Sequence, residues 1–122
     1  MKVSQVTTDG PRATVVCERC EVADRPLARL RGLMGRRNLP RGNGLLLKPA
    51  PSIHTFFMRF PIDAVFLDSE LSVVGVEPAL APWRLAGRRG ARAVLELGAG
   101  EAARVGLREG TRLALQENRH AR

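Results

Sequence analysis

The chain has 122 residues, of which 44% are hydrophobic and 26% are charged, and these proportions fit one globular domain better than a disordered or fibrous chain. The N-terminal segment has one lysine and no apolar run behind it, and no stretch of about 18 apolar residues occurs in the sequence. We therefore expect no secretory signal and no membrane span, and predict a cytoplasmic protein with a single domain over residues 1–122, a folded core at about 12–116 and a frayed tail at 117–122.

The net charge of +8 comes mainly from arginine, which supplies 18 of the 20 basic residues. Residues 1–48 carry ten basic and four acidic groups, residues 49–83 carry one and four, and residues 84–122 carry nine and four. Basic flanks around an acidic middle segment would form a rim that steers an anionic ligand or a phosphate backbone toward the protein. The alternative is that the arginines form an ordinary solvated surface.

The first predicted elements are a strand and a helix. Alternation at 12–22 predicts the strand, although neither of its faces is fully apolar. Asp24 is typical of a helix N-cap and Pro26 fits the first turn, which predicts a short amphipathic helix ending near Met34. The arginines of this helix lie opposite its apolar stripe, so solvent exposure explains them as well as a phosphate-binding role does.

Short strands dominate the rest of the chain. A turn-rich loop is predicted at 37–44, a tether containing Trp83 at 78–90, and a short helix at 101–105 behind a glycine turn. We expect a mainly β, α+β fold, in which about seven strands and two short helices form a small antiparallel sheet of barrel-like or sandwich shape. The predicted strands are 12–22, 44–48, 53–59, 62–68, 71–77, 93–97 and 111–115.

The stretch S-I-H-T-F-F-M-R-F-P-I-D, residues 52–63, places polar groups in an apolar setting. It predicts a hairpin of the strands 53–59 and 62–68 around a Phe-Pro turn. In that register His54 and Asp63 share one face but lie at opposite ends of the hairpin, so we do not expect them to touch.

Four polar side chains of this stretch, His54, Thr55, Arg59 and Asp63, must each find a partner or reach water, because burying an unpaired polar group is unfavourable. They therefore mark a candidate site at the mouth of a cleft. A lone histidine is more often a hydrogen-bonded structural residue, and this alternative stays open.

Cys17 and Cys20 form one C-x-x-C pair, which is a weak zinc signal without a second pair or clustered histidines. On a regular strand, residues three apart point to opposite faces, so we expect no shared ion and no disulfide unless a bulge interrupts the strand at Glu18 and Arg19. We predict no metal site and no cofactor. Four phenylalanines and one tryptophan are too few to predict a base-stacking nucleic-acid surface.

Five blocks of sequence occur in order between about residues 16 and 115: V-A-D-R-P-L-A-R-L-R-G-L-M-G-R-R-N-L-P, G-N-G-L-L-L, H-T-F-F-M-R-F-P-I-D-A-V-F-L-D, A-V-L-E-L-G-A-G and V-G-L-R-E-G. Together they resemble the domain of unknown function 192 family. The resemblance implies a small, single-domain, β-rich prokaryotic protein with no assigned activity. The family's characteristic positions fall on Arg31, Gly32, Leu33, Met34, Gly44, His54, Thr55, Met58, Arg59, Asp63, Glu96 and Gly100.

The chain departs from this family pattern in two respects. Many relatives resemble exported or lipid-anchored proteins, whereas an export segment is missing here, which affects the expectation of a cytoplasmic location. Cys17 and Cys20 are not part of the family signature, so the resemblance gives no support to a shared thiol or zinc chemistry.

Three functional hypotheses follow. The first is a non-catalytic binding or interaction domain that accepts a small anionic ligand or a protein partner, with Arg59 as the anchor for a carboxylate or phosphate. The second is a small hydrolase with His54 as base and Asp63 as its orienting partner, and the lack of an identifiable nucleophile makes catalysis the weaker hypothesis. The third is nucleic-acid binding through the arginine-rich flanks. The candidate ligand-binding residues are Arg31, His54, Thr55, Met58, Arg59 and Asp63.

Overall fold

The computed structural model describes residues 2–117, except for the side chains of Leu30, Arg31 and Glu117. Of the predicted frayed tail at 117–122, Glu117 is the last residue of a strand, and residues 118–122 lie outside the described residues. Within them, the chain forms nine strands and two short helices. The elements are β1 (Lys2–Thr8), β2 (Val15–Ala23), α1 (Pro26–Arg31), β3 (Asn43–Leu47), β4 (Ser52–His54), β5 (Ile62–Leu67), β6 (Val73–Leu80), β7 (Leu85–Gly87), β8 (Ala93–Gly98), α2 (Glu101–Arg104) and β9 (Leu113–Glu117).

Seven of the strands form one curled sheet in the order β6-β5-β8-β3-β2-β1-β9. Its neighbouring strands are antiparallel except β2 and β3, which are parallel and are connected through α1. Ser72, just before β6, forms an isolated antiparallel bridge with Arg112, just before β9, so the two outer strands approach each other at their starts. The sheet is therefore bent into a half-barrel, which confirms the expected mainly β, barrel-like fold but adds a parallel pair that the sequence pattern does not predict.

Apolar side chains cover both faces of the central strands. Leu95 and Leu97 of β8 pack in one cluster with Val65 of β5, while Val94 packs in a second cluster with Phe66. This division follows from the alternation of side chains along a strand. The second cluster is covered by α1 and by a two-stranded ribbon of β4 and β7.

The predicted hairpin of residues 53–59 with 62–68 is wrong. β4 ends at His54 and pairs with β7, whereas β5 lies between β6 and β8. The backbone of Phe57 has a φ of +64°, which an extended strand does not adopt. The apolar character of this stretch therefore belongs to a turn that is partly buried, and β5 obtains its partners from distant parts of the chain.

Two strands come from segments that the sequence pattern assigns differently. β1 lies at 2–8, where K-V-S-Q-V-T-T has little apolar alternation, and it is inserted between β2 and β9. β7 comes from the segment 78–90, which was expected to be a tether. β1 pairs with the following strand β2 and with the distant β9, and β7 pairs with the distant β4. Local periodicity does not reveal strands that depend on such pairings.

The helix α1 is shorter than predicted. It ends at Arg31 instead of near Met34, because Gly32 has a φ of +48° and closes the last turn by donating its N–H to the carbonyl of Ala28 over 2.9 Å. Its N-cap is Arg25 without a side-chain hydrogen bond, so Asp24 does not take the expected capping role. The two helices described in residues 2–117 are six and four residues long, too short to cross a membrane.

The expectation that Cys17 and Cys20 point to opposite faces is also wrong. Against β1, Cys20 pairs with Ser4 and Cys17 pairs with Val6, so a bulge accommodates one extra residue on β2. Both thiols are free, fully buried and in the same apolar cluster. The neighbouring thiol of Cys20 lowers the pKa of Cys17, and the thiol of Cys17 together with burial raises the pKa of Cys20.

Candidate functional site

A cavity of about 310 Å³ lies between the C-terminal end of α1 and the segment that connects β3 to β4. This volume is at the lower end of the range for small-molecule sites. The wall is mainly aliphatic, and four polar residues interrupt it. The lining residues are Leu33, Met34, Leu47, Pro49, Ala50, Pro51 and Ile53, together with Gly32, Arg29, Ser52, His54 and Glu96.

Glu96 is the most unusual of these residues. It lies on β8 between Leu45 of β3 and Ala64 of β5, with its side chain on the face covered by α1 and the ribbon. The residue is 2% exposed, and its Oε2 is the only buried side-chain nitrogen or oxygen within residues 2–117 that has no hydrogen-bond partner. A buried polar atom without a partner in a protein structure calls for an explanation, and a missing ligand is one.

The environment of Glu96 keeps its carboxyl group protonated at neutral pH. Burial raises the pKa of Glu96 to about 8, and the positive charge of Arg36 lowers it only in part. The guanidinium of Arg36 is already paired with the carboxylate of Glu21. Glu96 therefore presents a neutral carboxylic acid to the cavity, and such a group can donate one hydrogen bond as well as accept.

The end of α1 leaves room beside this carboxyl group. A Cβ atom at Gly32 would lie 3.9 Å from Oε1 of Glu96, in ordinary van der Waals contact. The left-handed backbone of Gly32, with φ of +48°, nevertheless favours glycine at this position. Gly32 thus ends the helix and also forms part of the cavity wall beside Glu96.

Among the candidate residues whose side chains the structure describes, His54 alone lines the cavity. It is half-buried at the end of β4, and its Nδ1 accepts the N–H of Phe56 over 3.2 Å. Since Nδ1 is an acceptor here, the imidazole proton belongs on Nε2. His54 can therefore offer an N–H donor, but its other nitrogen is occupied by the backbone.

Thr55, Met58 and Arg59 do not line the cavity. Thr55 is fully buried, and its hydroxyl donates to the carbonyl of Ala81 over 2.7 Å and accepts the N–H of Arg84 over 2.9 Å. Met58 is buried in the second apolar cluster. Arg59 is exposed and makes no ion pair with any residue described in 2–117. The side chain of Arg31, the remaining candidate, lies outside the described part of the chain.

Asp63 has a structural environment. Its carboxylate is buried, with Oδ1 accepting the N–H of Ala79 over 2.9 Å and Oδ2 accepting the N–H groups of Gly100 and Ala102 over 3.0 and 2.9 Å. It thereby ties β6 and the start of α2 to β5. No hydrogen bond joins Asp63 to His54, so the structure does not bring the proposed catalytic pair together.

Glu96 is one of the family's characteristic positions, but it is not among the ligand-binding residues predicted from the sequence. The available signal was an acidic residue in the strand A-V-L-E-L, whose neighbours on both sides are apolar. The same rule that singled out Asp63 applies to Glu96, because a charged group in a strand buried on both faces needs a partner. Only the fold shows that Asp63 has its partners and that Oε2 of Glu96 has none.

Two larger surface depressions, of about 460 and 630 Å³, are lined by residues around Lys48 and Asp68 and around Lys2 and Arg25. Neither contains an unpartnered buried side-chain oxygen or nitrogen of a described residue. Across residues 2–117, no three His, Cys, Asp or Glu side chains are arranged to hold a metal ion. The cavity at Glu96 is therefore the better candidate for a ligand site.

Two crystal structures resemble this fold. One is a protein of unknown function from Novosphingobium aromaticivorans, with 25% identity and a TM-score of 0.81 over 92% of this chain and 84% of that chain. The other, from Sinorhizobium meliloti, is described as a proposed transcription regulator and has 25% identity and a TM-score of 0.82 over 93% of both chains. No curated protein matches the chain.

The family assignment comes from the sequence itself. The family model for the domain of unknown function 192, which is described as "Uncharacterized ACR", matches residues 5–115. This range includes α1, the cavity-lining segment and Glu96, and it leaves out only short pieces at the two ends. The chain therefore belongs to the domain of unknown function 192 family.

Proposed function

We propose that the protein is a non-catalytic binding domain, which holds a small ligand with an apolar body and an oxygen-bearing end, such as a carboxylate, in the cavity beside Glu96. The observation that carries this proposal is the unpartnered Oε2 of Glu96 at an otherwise mainly aliphatic cavity. A ligand oxygen that accepts a hydrogen bond from the protonated carboxyl would remove the unfavourable free energy of a buried polar group without a partner.

The charges that line the cavity favour a neutral or anionic ligand over a cation. Among the described lining residues, Arg29 and His54 contribute the basic groups, and Glu96 is the one acidic residue. The raised pKa of Glu96 means that this acid is neutral at pH 7. In this proposal Arg29 takes the role that sequence reasoning gave to Arg59, because Arg59 does not line the cavity.

Binding is better supported than hydrolysis by the same geometry. Both oxygens of Asp63 accept backbone N–H groups, and Nδ1 of His54 accepts another. A His54 base oriented by Asp63 would need these contacts to be given up.

The proposal is tested with three ligands that share one alkyl chain but differ in the polar end: octanoate, octanol and octylamine. Thermal shift and calorimetric titration are measured at one pH below and one above the Glu96 pKa of about 8. We expect octanoate and octanol to bind more tightly than octylamine at the lower pH. We also expect the affinity for octanoate to fall as pH rises through about 8, because two carboxylates would then face each other.

Variants of Glu96 separate the specific site from general apolar binding. Glu96→Gln keeps a hydrogen-bond donor without a titrating proton, so octanoate binding should become independent of pH across this range. Glu96→Leu should weaken the binding of octanoate. The exposed Glu109→Gln serves as the control and should bind octanoate like the wild type. Absence of binding by all three ligands, or an unchanged octanoate affinity in Glu96→Leu, would contradict the proposal.

A further inference from the structure

An exposed apolar surface lies beside the cavity, on the ribbon of β4 and β7 and the turns that follow β4 and precede β7. We call it the aromatic face and define it as Phe56, Phe57, Trp83 and Leu85. Three of these side chains are largely exposed: Phe57 at 60%, Trp83 at 55% and Leu85 at 73%. Beyond them, the described chain exposes only two other large hydrophobic side chains, Val15 and Leu27.

The aromatic face is a built surface and not a set of loose side chains. The ring of Trp83 lies 4.7 Å from that of Phe57 and 5.9 Å from that of Phe56, measured between centroids. The buried Thr55 connects the two turns, because its backbone carbonyl accepts the N–H of Trp83 and its hydroxyl accepts the N–H of Arg84, both over 2.9 Å.

The backbone of this surface is strained at its two exposed aromatic residues. Phe57 and Trp83 both have a φ of +64°, a left-handed conformation that is uncommon for large side chains. Such conformations persist when the surrounding structure imposes them, and they are concentrated at functional sites. The surrounding structure therefore keeps two large aromatic side chains in exposed positions at the expense of backbone strain. Apolar packing within the protein does not explain this arrangement.

The segments that form the aromatic face are basic. Residues 52–60 and 78–92, which contain the ribbon and both turns, include five arginines and no acidic residue. Arg88 pairs with Glu77 of β6, whereas Arg59, Arg84 and Arg89 are exposed and have no ion pair with any residue in the described range. An occupant of this surface must accept apolar side chains and carry negative charge.

The geometry points to an anionic phospholipid membrane surface as the occupant of the aromatic face. Tryptophan and phenylalanine favour the boundary between headgroups and acyl chains, and arginine is attracted to acidic headgroups. The exposed Leu85 favours a membrane over a single-stranded nucleic acid. Bases stack on aromatic rings and gain little from contact with an aliphatic side chain. Docking by this face is peripheral and goes beyond the proposed binding at Glu96, on which it does not depend.

The docked orientation would bring the cavity close to the bilayer. His54 lines the cavity, and its ring lies 5.2 Å from that of Phe56. The cross-strand partner of His54 is Leu85, so both side chains lie on the same face of the ribbon. A cavity beside a membrane-docked surface is well placed for ligands with an apolar body.

Fluorescence of Trp83 gives a direct test, because the chain has no other tryptophan and no tyrosine. The wild type is titrated with vesicles of phosphatidylcholine alone and of phosphatidylcholine mixed with phosphatidylserine, and binding is confirmed by co-sedimentation. We expect a blue shift and sedimentation with the anionic vesicles, both reduced at high salt by screening.

Matched variants locate the contact. Phe57→Ser and Leu85→Ser should each weaken partitioning into the vesicles by about tenfold, since each removes a partly inserted apolar side chain. Arg84→Glu should weaken partitioning by fivefold or more, because the loss of a single basic charge alone has an effect of about fivefold. Leu27→Ser and Arg108→Glu change equally exposed residues elsewhere and should leave partitioning within twofold, roughly, of the wild type. Circular dichroism confirms that each variant is folded.

Three results would overturn the inference. The first is no response of Trp83 and no sedimentation with anionic vesicles. The second is an equal loss in Leu27→Ser and Leu85→Ser, which would show that binding is not located at the aromatic face. The third is quenching of Trp83 by a thymidine oligonucleotide without any response to vesicles, which would identify a single-stranded nucleic acid as the occupant.

Discussion

At the scale of single residues, the protonation of Glu96 is linked to folding. Its pKa is about 4.5 in the unfolded chain and about 8 in the folded protein, because burial disfavours the charged form. Below pH 4.5 both states hold the proton, so Glu96 contributes no pH dependence. Between these two values only the unfolded state has released it, so the free energy of unfolding falls as pH rises, and above about pH 8 the loss is complete.

Glu96→Gln should remove this loss. We expect the unfolding free energy of the variant, relative to the wild type, to rise between pH 4.5 and pH 8 by up to about 5 kcal/mol, the value for a shift of this size. Urea denaturation of both proteins across this range measures the difference, in which the contributions of all other titrating groups cancel. A difference that stays constant with pH would show that Glu96 is ionised in the folded state or titrates normally.

Asp63 illustrates the opposite case, a buried carboxylate whose hydrogen bonds are satisfied. Asp63→Asn removes the charge and replaces one acceptor oxygen by an N–H₂ group that faces the backbone N–H of Ala79 or those of Gly100 and Ala102. We expect the free energy of unfolding to fall by about 2–4 kcal/mol. Urea denaturation at constant pH gives the value.

The control for Asp63 is Asp9→Asn. The side chain of Asp9 is 55% exposed and lies 3.9 Å from Arg112, a contact that contributes little to stability. If Asp63→Asn were as stable as this control, the three backbone contacts of Asp63 would not hold α2 and β6 in place. In that case, Asp63→Asn could also be used to test whether Asp63 affects the chemistry of His54, because the substitution would not disturb the structure.

At the scale of elements, the bulge in β2 restricts the size of the side chain at position 44 of β3. It turns both cysteines inward, and Cys20 becomes the direct neighbour of Gly44 in the parallel pairing of β2 with β3. A Cβ atom at Gly44 would lie 2.9 Å from Sγ of Cys17 and 3.2 Å from the carbonyl oxygen of Glu96. The close packing at the bulge therefore accounts for a glycine inside a strand.

Gly44→Ala should consequently be destabilising, by about 1–3 kcal/mol, because the added methyl group is forced against a buried sulfur and a backbone carbonyl. Thermal and urea denaturation measure the loss. Combining it with Cys17→Ala removes the sulfur, so the effect of Gly44→Ala should be smaller in the Cys17→Ala background than in the wild type. Equal effects in the two backgrounds would mean that Cys17 is not the group that restricts this position.

The elements that the sequence predicts are those with a local pattern. β3, β5 and β8 are short apolar runs between turn residues, and they appear close to their predicted positions. The pairing of β4 with β7 joins residues about thirty apart in sequence, and no periodicity records it. The same limit explains the candidate site, since His54 was visible as a polar residue in an apolar stretch, whereas its proximity to the cavity of Glu96 depends on how α1 and β4 fold over the sheet.

At the scale of the whole molecule, charge follows the fold and not the linear sequence. The segment 49–83 has an acidic balance, but its acidic residues belong to β5, β6 and the turn between them. Residues 52–60 and 78–92, which contain the ribbon and its turns, have five arginines and no acidic residue. A basic rim was expected from the flanks of the chain, and the structure concentrates a basic surface at the ribbon instead.

The sheet also connects the two ends of the described chain. β1 is paired with β2 on one side and with β9 on the other, and β9 meets the far edge of the sheet next to β6 through Ser72 and Arg112. Val6 lies at the centre of this arrangement, 2% exposed and packed in the first apolar cluster. A change at Val6 should therefore affect the stability of the complete sheet.

The prediction of one domain can be tested with a substitution at Val6 in the sheet and a fluorescence signal from Trp83 beside the ribbon. Val6→Ala should lower the unfolding free energy by about 2 kcal/mol, and the exposed Val15→Ala should change it by less than about 0.5 kcal/mol. Far-UV circular dichroism reports on the sheet, while Trp83 fluorescence reports on the ribbon, which packs on the second apolar cluster. If the chain unfolds as one unit, Val6→Ala shifts the urea midpoints of both signals equally. A shift of the sheet signal alone would mean that the ribbon and its cavity unfold separately from the half-barrel.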